Sequence, residues 1–118
     1  MKTIVIAEAG VNHNGSIKLA KKMVDAAKRA GADIIKFQMF TADRLASKSA
    51  PKAAYQKANT GEGGSQWEML KRLELGVQAH RELFIYCRKK SIGFLSTPFD
   101  EESARLLVRQ VGVAFLNG

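Results

Sequence analysis

IAEAGVNHNGS, residues 6–16, is the stretch whose reading decides the fold. The run Thr3, Ile4, Val5, Ile6 that leads into it has the β-branched content of a buried strand, and such strands read as continuous apolar runs. The run meets a lone acid, Glu8, and then breaks into Gly10, Asn12, His13, Asn14 and Gly15, residues that tolerate tight turns. Ser16 follows as an N-cap for a helix beginning at Ile17. Strand, polar loop, helix is the unit of α/β architectures, in which ligands gather at the C-terminal ends of the strands. The pattern predicts Glu8 at such an end.

Outward from this unit the alternation repeats. Ala20, Met23, Val24, Ala27 and Ala30 follow helical spacing, with Lys18, Lys21, Asp25 and Lys28 on the other side and Gly31 as the closing residue. Asp33 to Gln38 predicts a second strand in which Lys36 and Gln38 share a face. An inward lysine near the C-terminal end of a barrel strand is costly unless it meets an anion, so Lys36 is a candidate binding residue. A long polar connection is expected from Thr41 to Gly64, with Tyr55 and Gln56 as candidate substrate contacts or lid residues.

Ser65 and Glu68 match a capping box, and the helix they open takes Trp67, Leu70 and Leu73 as its buried stripe. Gly76 marks a break before a second helix from about Gln78 to Lys90, with Ala79, Leu83, Phe84 and Cys87 at core spacing. His80 falls on the adjacent face without a second histidine at ligand spacing, and reads as a surface residue. Gly93 to Pro98 predicts a third strand ending in Ser96 and Thr97. Asp100 caps a further helix with Ala104, Leu107, Val108 and Val111 on its apolar side, and Val113 to Leu116 begins a fourth strand.

The order β, α, β, loop, α, α, β, α, β specifies an α/β fold with a parallel sheet and right-handed crossovers. A (β/α) barrel is favoured over a doubly wound sheet, because the first loop lacks the Gly-x-Gly-x-x-Gly spacing of a dinucleotide site and the functional-looking residues sit at successive strand ends. A closed barrel takes about 250 residues. The 118 residues here are expected to form its N-terminal part, an incomplete barrel.

The formal charge of +8 is scattered over helix faces, without an aromatic RNA-stacking motif or a DNA-reading module, which argues against nucleic acid as a partner. The field suits an anionic small substrate instead. One cysteine, Cys87, excludes an intrachain disulfide and suits a reducing cytoplasm. No stretch approaches the length of a membrane span.

IAEAGVNHNGS, the KFQ of Lys36, Phe37 and Gln38, the stretch APKAAYQKANTGEGGSQWEMLKRLEL and FLSTPFDEESARLL together resemble the N-terminal part of the N-acetylneuraminate (sialic acid) synthase family, which includes legionaminic acid synthases. The resemblance runs from Ile4 to about Phe115. It implies a TIM barrel that condenses phosphoenolpyruvate with an N-acetylmannosamine-type sugar, releasing phosphate and giving a nine-carbon 2-keto sugar acid. By that resemblance Glu8 is the acid beside the reacting carbons, Lys36 and Thr97 meet the phosphate or carboxylate of phosphoenolpyruvate, and Gln38 and Ser96 help to bind and orient it. A divalent metal is implied as well, but its histidine ligands, the later strands and a C-terminal antifreeze-like domain lie beyond the matched portion, and His13 and His80 do not match them. The expectation is therefore an N-terminal portion with about half of one substrate site, inactive as this fragment; the alternative is a non-catalytic remnant that binds anions or self-associates through its open sheet edges.

Overall fold

The computed structural model describes residues 3–48 and 66–112. Three βα units occupy them. Strand β1 (Ile6–Gly10) leads through the polar loop to helix α1 (Ile17–Arg29), and β2 (Ile34–Met39) is followed by the short α2 (Ala42–Lys48). Then come α3 (Gln66–Leu73), α4 (Val77–Lys89), β3 (Gly93–Pro98) and α5 (Glu101–Leu106), the last running on into a π-helical segment, Leu107–Val111. The strands lie in the order β1-β2-β3 and all pair in parallel.

Sequential order with parallel pairing puts successive right-handed crossovers on one side of a sheet. Helices α1 and α4 accordingly stand side by side on one face. Lys21 bridges to Glu82 at 3.0 Å, and the Tyr86 hydroxyl donates to Asp25 at 2.7 Å. Beneath them the core gathers Ala9, Ala20, Val24, Ile35, Phe37, Leu83, Cys87, Phe94 and Leu107. The other face of the sheet carries Glu8, Lys36, Gln38 and Thr97. Coverage on one face is the arrangement of barrel units; a doubly wound sheet carries helices on both.

Local chemistry sets the boundaries. The Ser16 hydroxyl caps α1 by accepting from the Leu19 N–H at 3.1 Å, and Gly31, at φ +91°, ends the helix as the spacing predicts. Gly76 precedes α4, one residue ahead of the expected start. Cys87 is buried, and burial pushes its thiol up to about 12, as fits a packing residue.

Five expectations are corrected. The run Thr3–Ile6 is not a buried strand: β1 begins at Ile6, and Ile4, Val5 and Ile6 are 62%, 49% and 49% exposed. The reason is that β1 is an edge, paired on one side only among the described residues. Part of the connection from Thr41 is helical, because ADRLASK consists largely of good helix formers, the Thr41 hydroxyl accepts from Arg44 N–H, and Glu74 accepts from the Ala42 N–H at 2.8 Å. Trp67, Leu70 and Leu73 form no buried stripe, since α3 packs on α2 rather than on the sheet. Trp67 is 41% exposed and donates its indole N–H to Asp43 at 2.7 Å. Val108 faces outward while Leu107 and Val111 are buried. His80, expected at the surface, is fully buried. Tyr55, Gln56, Ser65 and the strand expected at 113–116 lie outside the described residues.

Candidate functional site

The parallel register decides which side chains meet. Glu8 is opposite Lys36, and Gln38 is opposite Thr97 on the next strand. Side chains alternate along a strand, so Ile35, Phe37 and Met39 take the helix face and Lys36 and Gln38 the open one. Thr97, level with Gln38, shares that face across a spacing of about 4.8 Å between strands. Three strands thus bring Glu8, Lys36, Gln38 and Thr97 to one surface near their C-terminal ends.

The Lys36 ammonium lies 3.1 Å from the Glu8 carboxylate, and the pair is only part-buried. An ammonium has three donors, so two remain for an anion laid beside the pair. Neither the Gln38 amide nor the Thr97 hydroxyl is hydrogen-bonded among the described residues. An amine, an amide and a hydroxyl converging on one face can neutralise and orient a phosphate or carboxylate, with Glu8 beside it to stabilise positive charge.

Gly10 is a component that residue-by-residue reading overlooked. A bulge between Glu8 and Gly10 shifts the register, and Gly10 takes φ +56°. A Cβ added there would stand 3.6 Å from both the Gln38 amide nitrogen and Glu8 Oε2, so the bare backbone forms the floor between those two side chains. The signal in the sequence is a glycine two residues after the acid at the strand's end, where a bulge or a close approach of backbone is expected.

Ser96 does not join the others. It is level with Phe37, faces the helices and is fully buried, because adjacent residues of a strand point to opposite faces and Thr97 holds the open one. Its hydroxyl lies 2.9 Å from His80 Nε2, and His80 Nδ1 lies 3.2 Å from the Gly76 carbonyl oxygen. A carbonyl only accepts, so Nδ1 carries the proton and Nε2 accepts from Ser96. Burial holds the His80 imidazole down at about 4, against the opposing pull of the Gly76 carbonyl. The spacing 80, 83, 87 already put His80 on the stripe of Leu83 and Cys87. Its polarity hid that. His13 is buried too, its Nδ1 accepting from the Gly15 N–H at 2.9 Å and its ring tilted against Phe37. Desolvation lowers its pKa.

The described residues do not fit a divalent metal. No three His, Cys, Asp or Glu side chains among them come together as a ligand set, and the two histidines are turned into the core. Nor is any described helix long and apolar enough to cross a membrane.

Comparison with known proteins agrees with this fold. The chain is 52% identical over 106 residues to N,N'-diacetyllegionaminic acid synthase of Campylobacter jejuni, covering 90% of this chain and 32% of that protein. It is 51% identical over 108 residues to the synthase of the same name from Legionella pneumophila, covering 92% of this chain and 30% of the relative. The crystal structure of N-acetylneuraminic acid (sialic acid) synthetase from Leptospira borgpetersenii, in complex with citrate, superposes with a TM-score of 0.74 at 32% identity, over 98% of this chain and 35% of that one. The chain therefore spans about a third of the length of these relatives. Its three parallel units correspond to the N-terminal part of the TIM barrel of such synthases. The NeuB family model matches residues 23–116, most of the chain, and the chain belongs to the NeuB family.

Proposed function

We propose that the open face forms the phosphoenolpyruvate side of a synthase site, in a reaction that joins phosphoenolpyruvate to an N-acetylmannosamine-type sugar and yields a nonulosonic acid and phosphate. The observation that carries this reading is the convergence of Glu8, Lys36, Gln38 and Thr97 from three strands, with Lys36 3.1 Å from Glu8. Lys36 and Thr97 hold the phosphate or carboxylate of phosphoenolpyruvate, and Gln38 orients it. As C3 of phosphoenolpyruvate attacks the sugar carbonyl carbon, the carbonyl π electrons pass to its oxygen, which takes up a proton and becomes a hydroxyl, and positive charge develops at C2, next to the Glu8 carboxylate. A carboxylate fixed there stabilises the cation more than the neutral ground state, which is the requirement for catalysis. Water then adds at C2 and gives up a proton, and the resulting C2 hydroxyl collapses to the ketone as the C–O bond to phosphate breaks and phosphate leaves with the electron pair. The chain covers 32% of the Campylobacter jejuni synthase, so in this reading the sugar side of the site and the ligands of the implied divalent metal are assigned to the portion of such synthases that it does not match. The protein works in the cytoplasm, in keeping with its single, buried cysteine.

Calorimetric titration of phosphoenolpyruvate into the chain tests the reading. Lys36→Met removes the charge at nearly constant length and weakens binding at least tenfold; equal affinity in the two proteins would reject the site. A second reading, self-association without catalysis, is favoured by one observation, the exposure of Ile4, Val5 and Ile6 along β1. Unpaired strand edges template such contacts. Sedimentation as a concentration-independent monomer counts against it.

A further inference from the structure

We propose that His80, which the reaction scheme above does not use, is a positioning residue for the anion end of the site: through Ser96 it fixes the end of β3 so that Thr97 presents its hydroxyl beside Gln38. The proposal rests on the phosphoenolpyruvate reading of the open face.

A serine and a histidine are costly in this position. Both are fully buried, between Phe37 and Phe94 on the sheet and the first turn of α4. Small apolar residues would fill such space without polar desolvation. What a hydrogen bond adds over apolar packing is direction. Nδ1–H is held by the Gly76 carbonyl at the start of α4, which leaves Nε2 facing the Ser96 hydroxyl at 2.9 Å. The ring stands edge-on to Phe94, with centroids 6.1 Å apart and planes at 87°, so its rotation is limited as well.

The consequence passes along the backbone. Ser96 and Thr97 are neighbours near the end of a strand, and rotation of one side chain off its face turns the next off the opposite face. Pro98 closes the strand one residue later. The Thr97 hydroxyl has no hydrogen bond of its own among the described residues to hold it. Pairing with β2 fixes the backbone, and the anchored Ser96 adds the side-chain restraint at this strand end, so the linked path runs Gly76, His80, Ser96, Thr97.

The test is a double-mutant cycle read by calorimetric titration of phosphoenolpyruvate into the native chain, Ser96→Ala, Thr97→Val and the double variant. Thr97→Val weakens binding about tenfold, Ser96→Ala nearly as much, and the double variant is no weaker than Thr97→Val alone; Ser96→Thr, which keeps the hydroxyl, restores the affinity. Losses that multiply in the double variant, or native affinity in Ser96→Ala, overturn the positioning role while leaving the site intact. Native affinity in Thr97→Val, or no binding by the native chain, removes the site reading and the proposal with it. A measurement on the native chain alone does not depend on any variant folding. The imidazole nitrogen resonances of His80 should show Nδ1 protonated and Nε2 an acceptor that shifts on saturation with phosphoenolpyruvate, and an Nε2 indifferent to the ligand overturns the link.

Discussion

Glu8 and Lys36 illustrate how little a contact's presence says about stability. Their ion pair is part-exposed, and such pairs are worth about 0–1 kcal/mol. Glu8→Gln should therefore leave the thermal midpoint within a few degrees of native, and phosphoenolpyruvate binding undiminished, because Lys36 loses a competitor for its donors. Weakened binding in Glu8→Gln, measured by calorimetry, would contradict the assignment of Glu8 to the cation rather than the anion. His80 makes the opposite case. Its imidazole sits near 4 in the folded chain against 6.5 when free, so the unfolded chain takes up the proton first as pH falls. Stability is unaffected above about pH 6.5, declines between there and about 4, and the separation corresponds to about 3 kcal/mol at most. His13, the neighbouring titratable group in that part of the core, is lowered in the same direction and adds to the slope. Urea denaturation across this range should show a shallower decline in His80→Asn than in the native chain.

Elements here are joined end to end at the C-terminal rim of the sheet. Asp100 caps α5 by accepting from the Ser103 N–H at 2.7 Å, and it also meets Arg44 of α2 at 3.0 Å. Burial alone would raise its carboxyl, but the Ser103 N–H and the Arg44 guanidinium outweigh that and hold it below the usual carboxylate range. Asp100→Ala loses both cap and tether, and should cost about 1–2 kcal/mol in chemical denaturation. The loop after β1 is tied differently. Gly15, at φ +75°, lies so close to α3 that a Cβ would collide with the Arg72 backbone carbonyl. Neither atom is at the end of a flexible side chain, so Gly15→Ala should destabilise by more than about 2 kcal/mol, well beyond the ordinary cost of a glycine substitution in this backbone region.

On the scale of the molecule the sheet, among the described residues, is covered by helices on one face and open on the other, and its edge at β1 is lined by exposed Ile4, Val5 and Ile6. A recess of about 320 Å³ between β1 and α1 is lined by Ala7, Glu8, Ala9, Met23, Ala26, Ala27 and Ile35. Val5 is 49% exposed and its hydrogen bonds are backbone ones, so Val5→Lys should change stability by less than about 0.5 kcal/mol. If the edge drives association, the same substitution lowers the weight-average mass seen by sedimentation, since edge lysines oppose strand pairing.

The residues by themselves determined the parallel α/β class, the ends of α1 and α4, and three strands bearing Glu8, Lys36, Gln38 and Thr97, because turn chemistry, capping and alternation act within a few neighbouring residues. That local reading could not separate Ser96 from Thr97, since two hydroxyls in succession look alike until pairing with Phe37 and Gln38 assigns each a face. It also misjudged His80 and the β1 run. Whether a polar side chain is buried, or an apolar one exposed, depends on what lies across from it, and only the tertiary structure supplied the Ser96 hydroxyl for His80 and, among the described residues, pairing on one side alone for β1.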